Sequence, residues 1–121
     1  MSVYRLLLPV AALCGPAFAD EPDTMASSAA LTQGHYRQVV TDFQKGGLAE
    51  ASDPARLINL GTAYARLGDF DRASDAFRRA MYSDQRYDLE LADGSVVDSR
   101  EAARMALAKL SRDANRQTAS R

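Results

Sequence analysis

The sequence predicts a mainly α-helical fold of antiparallel helical hairpins, with one short β-hairpin before the last helix. Three observations predict this fold class. Apolar and small residues recur at helical spacing over residues 57–81, on both sides of a lone glycine. The ten residues that start at this glycine resemble the ten that start 34 positions earlier. Residues 86–98 alternate instead with a period of two, which is typical of strands.

Residues 1–19 predict a secretory signal peptide. A single positive charge, Arg5, precedes an apolar run, and residues 17–19 supply the small-x-small pattern that signal peptidase accepts. A membrane anchor is the alternative, but a spanning helix needs about 20 apolar residues, and Pro9 interrupts this run. We therefore expect cleavage after residue 19, no membrane span in the mature chain, and export to the periplasm of a Gram-negative bacterium.

Cys14, the only cysteine, lies inside this leader. A lipoprotein signal would place a small residue just before the lipidated cysteine, whereas Leu13 stands there, so lipidation is disfavoured. After cleavage no cysteine remains, and disulfides and thiolate sites are excluded. The formal net charge of the whole chain is -1. This balance argues against general nucleic-acid binding, which needs a basic surface to displace counterions from phosphates.

Residues 57–81 predict two antiparallel helices. One face of the first helix carries residues at i, i+3, i+4 and i+7, which are Leu57, Leu60, Gly61 and Tyr64. Gly68 ends this helix, and Asp69 is suited to cap the next one. One face of the second helix carries Ala73, Phe77 and Ala80. We expect the small Gly61 and Ala73 to allow close approach of the helices, with Tyr64 and Phe77 filling the space beside them.

This pattern resembles the tetratricopeptide repeat, whose signature is W-x2-L-G-x2-Y, then A-x3-F, then P. The chain offers Leu57-x2-Leu60-Gly61-x2-Tyr64 and then Ala73-x3-Phe77. It departs from the signature in two places, because Leu57 stands for the tryptophan and Gln85 for the proline. The resemblance assigns one repeat to residues 54–87 and implies a short exported bacterial protein of this family.

A second, degenerate repeat is predicted over residues 20–53. Subtracting the family's 34-residue period from Gly68, Phe70, Ala73 and Phe77 gives Gly34, Tyr36, Val39 and Phe43. The first helix of this repeat is expected at about residues 24–33. Its start at Asp20 coincides with the proposed cleavage site, so two separate arguments agree on where the mature protein begins.

A β-hairpin is predicted over residues 86–98. Asp93-Gly94 is a strong signal for a two-residue type I′ turn, across which Leu91 would pair with Val96. An isolated hairpin is marginally stable, so its apolar face should pack on helices.

The last helix is predicted over residues 99–112, capped by Asp98 or Ser99. Its buried stripe would be Ala103, Ala106, Leu107 and Leu110. This helix would cover the exposed face of the second repeat, as terminal caps do in solenoids. Residues 113–121 are polar and are expected to form a flexible tail.

The sequence shows no constellation for catalysis, so we expect no enzyme activity, no metal and no cofactor. His35 is the only histidine and lies in a predicted turn without partner ligands. Asp69, Asp71 and Asp75 flank a helix start, where acids complement the helix dipole, and no EF-hand loop follows. Gly46-Gly47 lacks the Lys-Ser/Thr of a phosphate-binding loop.

In tetratricopeptide proteins the first helix of each repeat lines a concave groove that binds a partner's peptide. Carried over to this chain, the resemblance implies partner-binding positions at Ile58, Asn59, Thr62, Ala65 and Arg66, with Met25, Ser28 and Thr32 on the earlier helix. Asn59 would bond a peptide backbone and Arg66 a carboxylate. The Lys and Asn of a carboxylate clamp are absent from the earlier helix.

The sequence thus predicts a periplasmic adaptor or scaffold that holds a protein or peptide. Two alternatives remain open. The polar face of the helices is a solvated surface without a partner, or the chain self-associates into a homo-oligomer through the β-hairpin or the last helix. Asp88 and Glu90 resemble the charges that protect strand edges, which counts against strand addition.

Overall fold

The computed structural model describes residues 22–47, 50–91 and 93–120. The predicted signal segment, residues 1–19, lies outside this part. The described chain is mainly helical, with one two-stranded antiparallel sheet. Its elements, in order, are α1 Pro22–Thr32, α2 Tyr36–Lys45, a 3₁₀ turn Glu50–Ser52, α3 Pro54–Arg66, α4 Phe70–Met81, β1 Asp88–Glu90, β2 Val96–Asp98 and α5 Ser99–Ala119. None of the described helices is long and apolar enough to cross a bilayer.

The turn that joins α1 to α2 repeats the turn that joins α3 to α4. Gly34 and Gly68 have φ values of 80° and 82°, which only glycine adopts readily. The backbone N–H of the next residue then closes each helix end. His35 donates to the carbonyl of Ala30 at 2.8 Å, and Asp69 donates to that of Tyr64 at 2.9 Å. The two turns therefore share their glycine and their backbone hydrogen bonds at an offset of 34.

The helix starts that follow these turns differ. The Asp69 carboxylate accepts a hydrogen bond from the backbone N–H of Arg72 at 3.1 Å and caps α4, as its sequence position predicts. His35 precedes α2 without a side-chain cap. The two hairpins therefore share the turn, and only the second has a side-chain cap at the helix start.

The first hairpin packs on α3 through one core cluster. Val39 of α2 is 2% exposed, and it meets the buried Ala30 of α1 and Ala63 of α3. Tyr36, at the start of α2, is half-buried and packs against the same cluster. Tyr36 and Val39, two of the positions mapped by the 34-residue offset, therefore lie where the first hairpin meets α3.

α3 and α4 approach each other closely at Gly61. A Cβ on this residue would lie 2.6 Å from Cε1 of Phe77, a distance that no real contact tolerates. Ala73 is fully buried beside the same Phe77 ring. The expected division between small residues at the contact and a large ring beside them is found, and Tyr64 is partly buried against the same cluster.

α5 covers α4 and α3. Ala103 and Leu110 are buried, whereas Ala106 and Leu107 are only partly buried against the core. Leu110 contacts the cluster of Ala73 and Phe77, and Ala103 contacts that of Leu57 and Ala80. The last helix thus closes the stack, as expected.

The prediction that this helix ends at residue 112 is wrong. α5 continues to Ala119, and the segment predicted as a flexible tail is helical through that residue. Residues 113–119 contain no glycine or proline that would stop a helix. Their polar side chains support it locally, since Arg116 Nη1 lies 3.9 Å from Asp113 Oδ1.

The predicted pairing of Leu91 with Val96 is also wrong. The strands pair Leu89 with Val97 and Glu90 with Val96, and the Leu91 N–H donates to the Ser95 carbonyl at 2.8 Å. Three residues, not two, therefore lie between Leu91 and Ser95, the last hydrogen-bonded pair before the turn. The Asp93 carboxylate accepts from the Ser95 N–H at 2.9 Å, a local bond that favours the longer turn. As a result Leu89 and Val97 share a partly buried face, and Val96 is 63% exposed.

Tyr87 fastens the hairpin to the start of α3. Its hydroxyl donates to Asp53 and accepts from the Ala55 N–H at 3.4 Å. Asp53 is also the N-cap of α3, where it accepts from the N–H groups of Ala55 and Arg56. Burial, followed by the hydrogen bond to Asp53, raises the pKa of Tyr87 to about 12.

The same segment is fastened to the start of α5. The Tyr87 carbonyl accepts from the Ser99 N–H at 2.9 Å. Arg86 Nε donates to Asp98 Oδ2 at 2.6 Å, and Asp98 caps α5 by accepting from the Arg100 N–H at 3.0 Å. The hydrogen bond from Arg86 holds the pKa of Asp98 below its usual range. The first turns of α3 and α5 consequently lie side by side.

Candidate functional site

A cleft of about 360 Å³ lies between α3 and α5, with α4 as its floor. We name it the α3/α5 cleft. Its lining combines apolar side chains with charged groups from both walls, namely Thr62, Ala65, Arg66, Phe70, Phe77, Ala106, Lys109, Leu110 and Asp113.

The helical repeat of the sequence brings these residues together. The α3 wall uses positions i, i+3 and i+4, which are Thr62, Ala65 and Arg66. The α5 wall uses i, i+3, i+4 and i+7, which are Ala106, Lys109, Leu110 and Asp113. Ala65 and Ala106 are short, so they leave space between the two helices that larger residues would fill.

The floor of the cleft is aromatic. Phe70 and Phe77 lie two helical turns apart on the same side of α4. Phe77 is only 3% exposed, because it is wedged between Gly61 and Leu110, whereas Phe70 is partly buried. The rings offer an apolar surface at the bottom of a cleft whose rim is charged.

Arg66 and Lys109 provide the charge at the rim. Both side chains are exposed, and within the described residues neither makes an ion pair. Asp113 is 3.9 Å from Arg116, which partly neutralises it. The hydroxyl of Thr62 donates to the Ile58 carbonyl at 2.8 Å. The rim therefore presents two cations from opposite walls.

The residues expected to bind a partner fall into three groups. Thr62, Ala65 and Arg66 line the α3/α5 cleft. Ile58 instead packs against both core clusters that join α3 to α4 and α5, so it belongs to the core. Asn59 is turned towards α1.

The α1 positions lie near Asn59 and outside the cleft. Nδ2 of Asn59 is 3.5 Å from Oγ of Ser28, a weak hydrogen bond. Thr32 is exposed, and its hydroxyl donates to the Ser28 carbonyl at 3.0 Å. Met25 belongs to α1, and the role expected of its side chain lies outside the described part of the chain.

Sequence reasoning missed half of the cleft. Ala106 and Leu110 were expected only as buried contacts of a capping helix, and Lys109 and Asp113 were not expected at a site. Continuing the helical pattern past residue 112 would have placed Asp113 on the same face as Ala106 and Lys109.

The arrangement suits binding, because apolar rings and paired cations recognise a mixed ligand surface. Across the described ranges, no group of three or more His, Cys, Asp or Glu side chains is placed to hold a metal ion. His35 is exposed in the turn between α1 and α2.

Comparison with known protein families, with curated proteins and with solved structures finds no match to this chain.

Proposed function

We propose that this chain is an adaptor of the tetratricopeptide-repeat type that binds a segment of another protein in the α3/α5 cleft. The observation that carries the proposal is the pairing of an aromatic floor with cations on both walls. The repeat type is supported by the signature residues of α3 and α4 and by the turns at Gly34 and Gly68, which are equivalent at an offset of 34.

The size and chemistry of the cleft fit a peptide segment. Ligand pockets of roughly 300–1,000 Å³ that combine apolar walls with a few polar groups are typical of specific binding. An apolar side chain placed on Phe70 and Phe77 would gain about 25 cal/mol for each Å² that it removes from water. The guanidinium of Arg66 would bind a neighbouring carboxylate through two parallel hydrogen bonds.

The proposed location is the periplasm. It rests on the signal-peptide pattern of residues 1–19. An adaptor in that compartment would hold an exported partner without using a cysteine, because the only cysteine of the chain is Cys14 in the leader.

Site-specific photo-crosslinking in the living source cell tests the proposal. The crosslinker replaces Thr62 in the cleft, and a control probe replaces Val97 in the hairpin. We expect one defined foreign protein to be captured from Thr62 and not from Val97. Arg66→Glu should abolish this capture, whereas Arg112→Glu, an equal charge change at an exposed position that does not line the cleft, should leave it intact.

Three results would contradict the adaptor proposal. Capture of the chain's own copy, or capture from Val97 alone, would favour self-association through the hairpin. Capture from Thr62 that persists unchanged in Arg66→Glu would show that the partner does not bind through the charged rim of the α3/α5 cleft. Circular dichroism of each variant shows whether the fold is preserved.

A further inference from the structure

A second groove lies where α2 and α4 both face α3, and it shares no lining residue with the α3/α5 cleft. It consists of two adjoining hollows of about 430 and 270 Å³. Both hollows are lined by Tyr64 and Arg72, so they form one continuous surface, which we name the outer groove. Its floor includes Leu60 and Phe43, and its charged residues include Arg79.

Aromatic rings hold two arginines of this groove in place. The guanidinium of Arg72 lies 5.7 Å from the centroid of the Tyr64 ring, and that of Arg79 lies 6.0 Å from the Phe43 ring. Each also has one polar contact. Arg72 Nε lies 3.6 Å from Asp69 Oδ2, and Arg79 Nη2 donates to the Ala51 carbonyl at 3.0 Å.

These contacts leave most of the binding capacity of the two arginines unused. A guanidinium has five N–H donors, and within the described residues Arg72 and Arg79 each direct one nitrogen to a protein acceptor. The Arg72 side chain is 70% exposed. Each guanidinium that lies against a ring can still bind a carboxylate through parallel N–H donors on its edge.

The spacing of the two arginines defines the ligand. Arg72 and Arg79 are seven residues apart on α4, which is about 10.5 Å along the helix axis. In a polyproline II segment, residues i and i+3 lie on the same face and about 9.3 Å apart. Two acids at i and i+3 therefore match the spacing of the two arginine positions along α4.

The residues between the arginines set the remaining specificity. Asp75 lines the groove between Arg72 and Arg79 and would repel a carboxylate placed there, and Ala76 and Leu60 offer apolar contact. A segment with uncharged residues between its two acids fits this arrangement, in which a negative charge lies between two positive ones. Nucleic acid fits poorly, because its continuous phosphates would approach Asp75 and Asp69 and because the chain as a whole carries a net charge of -1.

We propose that the outer groove binds an extended acidic polypeptide segment of the form acid-x-x-acid, with its two carboxylates on Arg72 and Arg79. This site is separate from the α3/α5 cleft and does not depend on the adaptor function assigned to that cleft. Two sites on different faces would let one chain hold two segments at once.

NMR titration tests the outer groove directly. The probe is the capped peptide Gly-Glu-Pro-Pro-Glu-Gly, whose prolines favour the polyproline II conformation. The control peptide has glutamine in place of both glutamates. We expect the Nε–Hε signals of Arg72 and Arg79 to shift with the glutamate peptide and to stay unchanged with the control. Signals of Arg66 should not move.

Variants assign the shifts to the two side chains. Arg72→Gln and Arg79→Gln should each weaken binding roughly tenfold or more, because each removes one charge-assisted contact. Arg78→Gln is the matched control, since Arg78 is exposed on the same helix and does not line the groove. Arg79→Lys keeps the charge and loses the planar donors. Its affinity for the glutamate peptide should lie between those of the unmodified chain and of Arg79→Gln. Thermal melts exclude unfolding, and Arg66→Glu should leave peptide binding unchanged.

Three outcomes would overturn the proposal. The glutamine peptide produces the same shifts, or the glutamate peptide at millimolar concentration shifts neither arginine, or Arg78→Gln weakens binding as much as Arg79→Gln. A fourth outcome reassigns the site. If tripolyphosphate or a single-stranded oligonucleotide shifts the same signals with equal or higher affinity, the groove is a general anion site and not a peptide site.

Discussion

Gly61 shows how one absent side chain determines the packing of two helices. The Phe77 ring occupies the position that a Cβ at residue 61 would need. Phe77 in turn contacts the buried Ala73 and Leu110, so the ring joins α3, α4 and α5 in one cluster. Because the ring also forms the floor of the α3/α5 cleft, a change at Gly61 reaches the candidate site through a single contact.

Gly61→Ala is expected to destabilise the fold. The new Cβ would lie 2.6 and 2.7 Å from two atoms of the Phe77 ring, which must move, and overpacking of this kind costs about 1–3 kcal/mol. Gly61→Leu should be worse. Urea unfolding followed by circular dichroism measures the free energy of unfolding. Gly47→Ala is the control, because a Cβ there has no atom within 4 Å. Equal stability of Gly61→Ala and the unmodified chain would contradict the observed packing.

At the scale of elements, the β-hairpin is stabilised by its connections and not by its own length. Each strand has three residues, which is too short for independent stability. Tyr87 bonds the starts of both neighbouring helices, through the N-cap Asp53 of α3 on one side and Ser99, the first residue of α5, on the other. The segment that starts the hairpin therefore connects α3 to α5, and we call this connection the bracket.

Tyr87 makes this bracket sensitive to high pH. Its pKa is raised to about 12 in the fold, above the unfolded value of 10. The fold therefore favours the protonated phenol, and its stabilising effect is complete below pH 10 and is lost as the pH rises towards 12. We expect the difference in free energy of unfolding between the unmodified chain and Tyr87→Phe to shrink over this range. A difference that stays constant up to pH 12 would show that Tyr87 titrates normally.

The elements also show which features are predictable from sequence. Helices α3 and α4 and the turns at Gly34 and Gly68 follow from periodicity and from glycine, because these signals are local. The first two helices are placed only by the 34-residue offset. The hairpin register does not follow, because a hydrogen bond between Asp93 and Ser95 selects a three-residue turn over the type I′ turn that Asp-Gly favours. The end of α5 was misplaced because polarity alone does not stop a helix.

The candidate site also has one part that the sequence predicts and one part that it does not. Thr62, Ala65 and Arg66 could be proposed from the sequence, since the resemblance to the repeat family implies which face of α3 lines a groove. Their counterparts Lys109 and Asp113 could not, because no repeat signature covers α5. Which helix face meets which neighbour is decided by tertiary packing, and the outer groove, formed by three helices, has no local signal at all.

At the scale of the molecule, α3 is the centre of the packing. It contributes Ala63 to the cluster with α1 and α2, and Leu57 to the cluster with α4 and α5. The described helices therefore share one continuous core and should unfold together.

Leu110→Ala tests this cooperativity. Leu110 is 7% exposed and packs against Phe77 and Ala73, so its truncation should cost about 2–5 kcal/mol. We expect a single thermal transition at lower temperature, seen equally by far-ultraviolet circular dichroism and by tyrosine fluorescence. Met105→Ala on the same helix, where the side chain is 48% exposed, should have a much smaller effect. Separate transitions for the two probes would mean that α5 unfolds alone.

Helices α3 and α5 start side by side, and α5 is the longer of the two, so a small tilt of α5 moves its far end the most. Both helices are tied at their first turns through Tyr87, but α3 has 13 residues and α5 has 21, so α5 extends beyond α3 by about 12 Å. Lys109 lies about 15 Å along α5 from the pivot at Ser99, and Gln117 about 27 Å. Any tilt of α5 that opens the cleft at Lys109 is therefore nearly doubled at Gln117, where a spectroscopic label would report occupancy without touching the ligand.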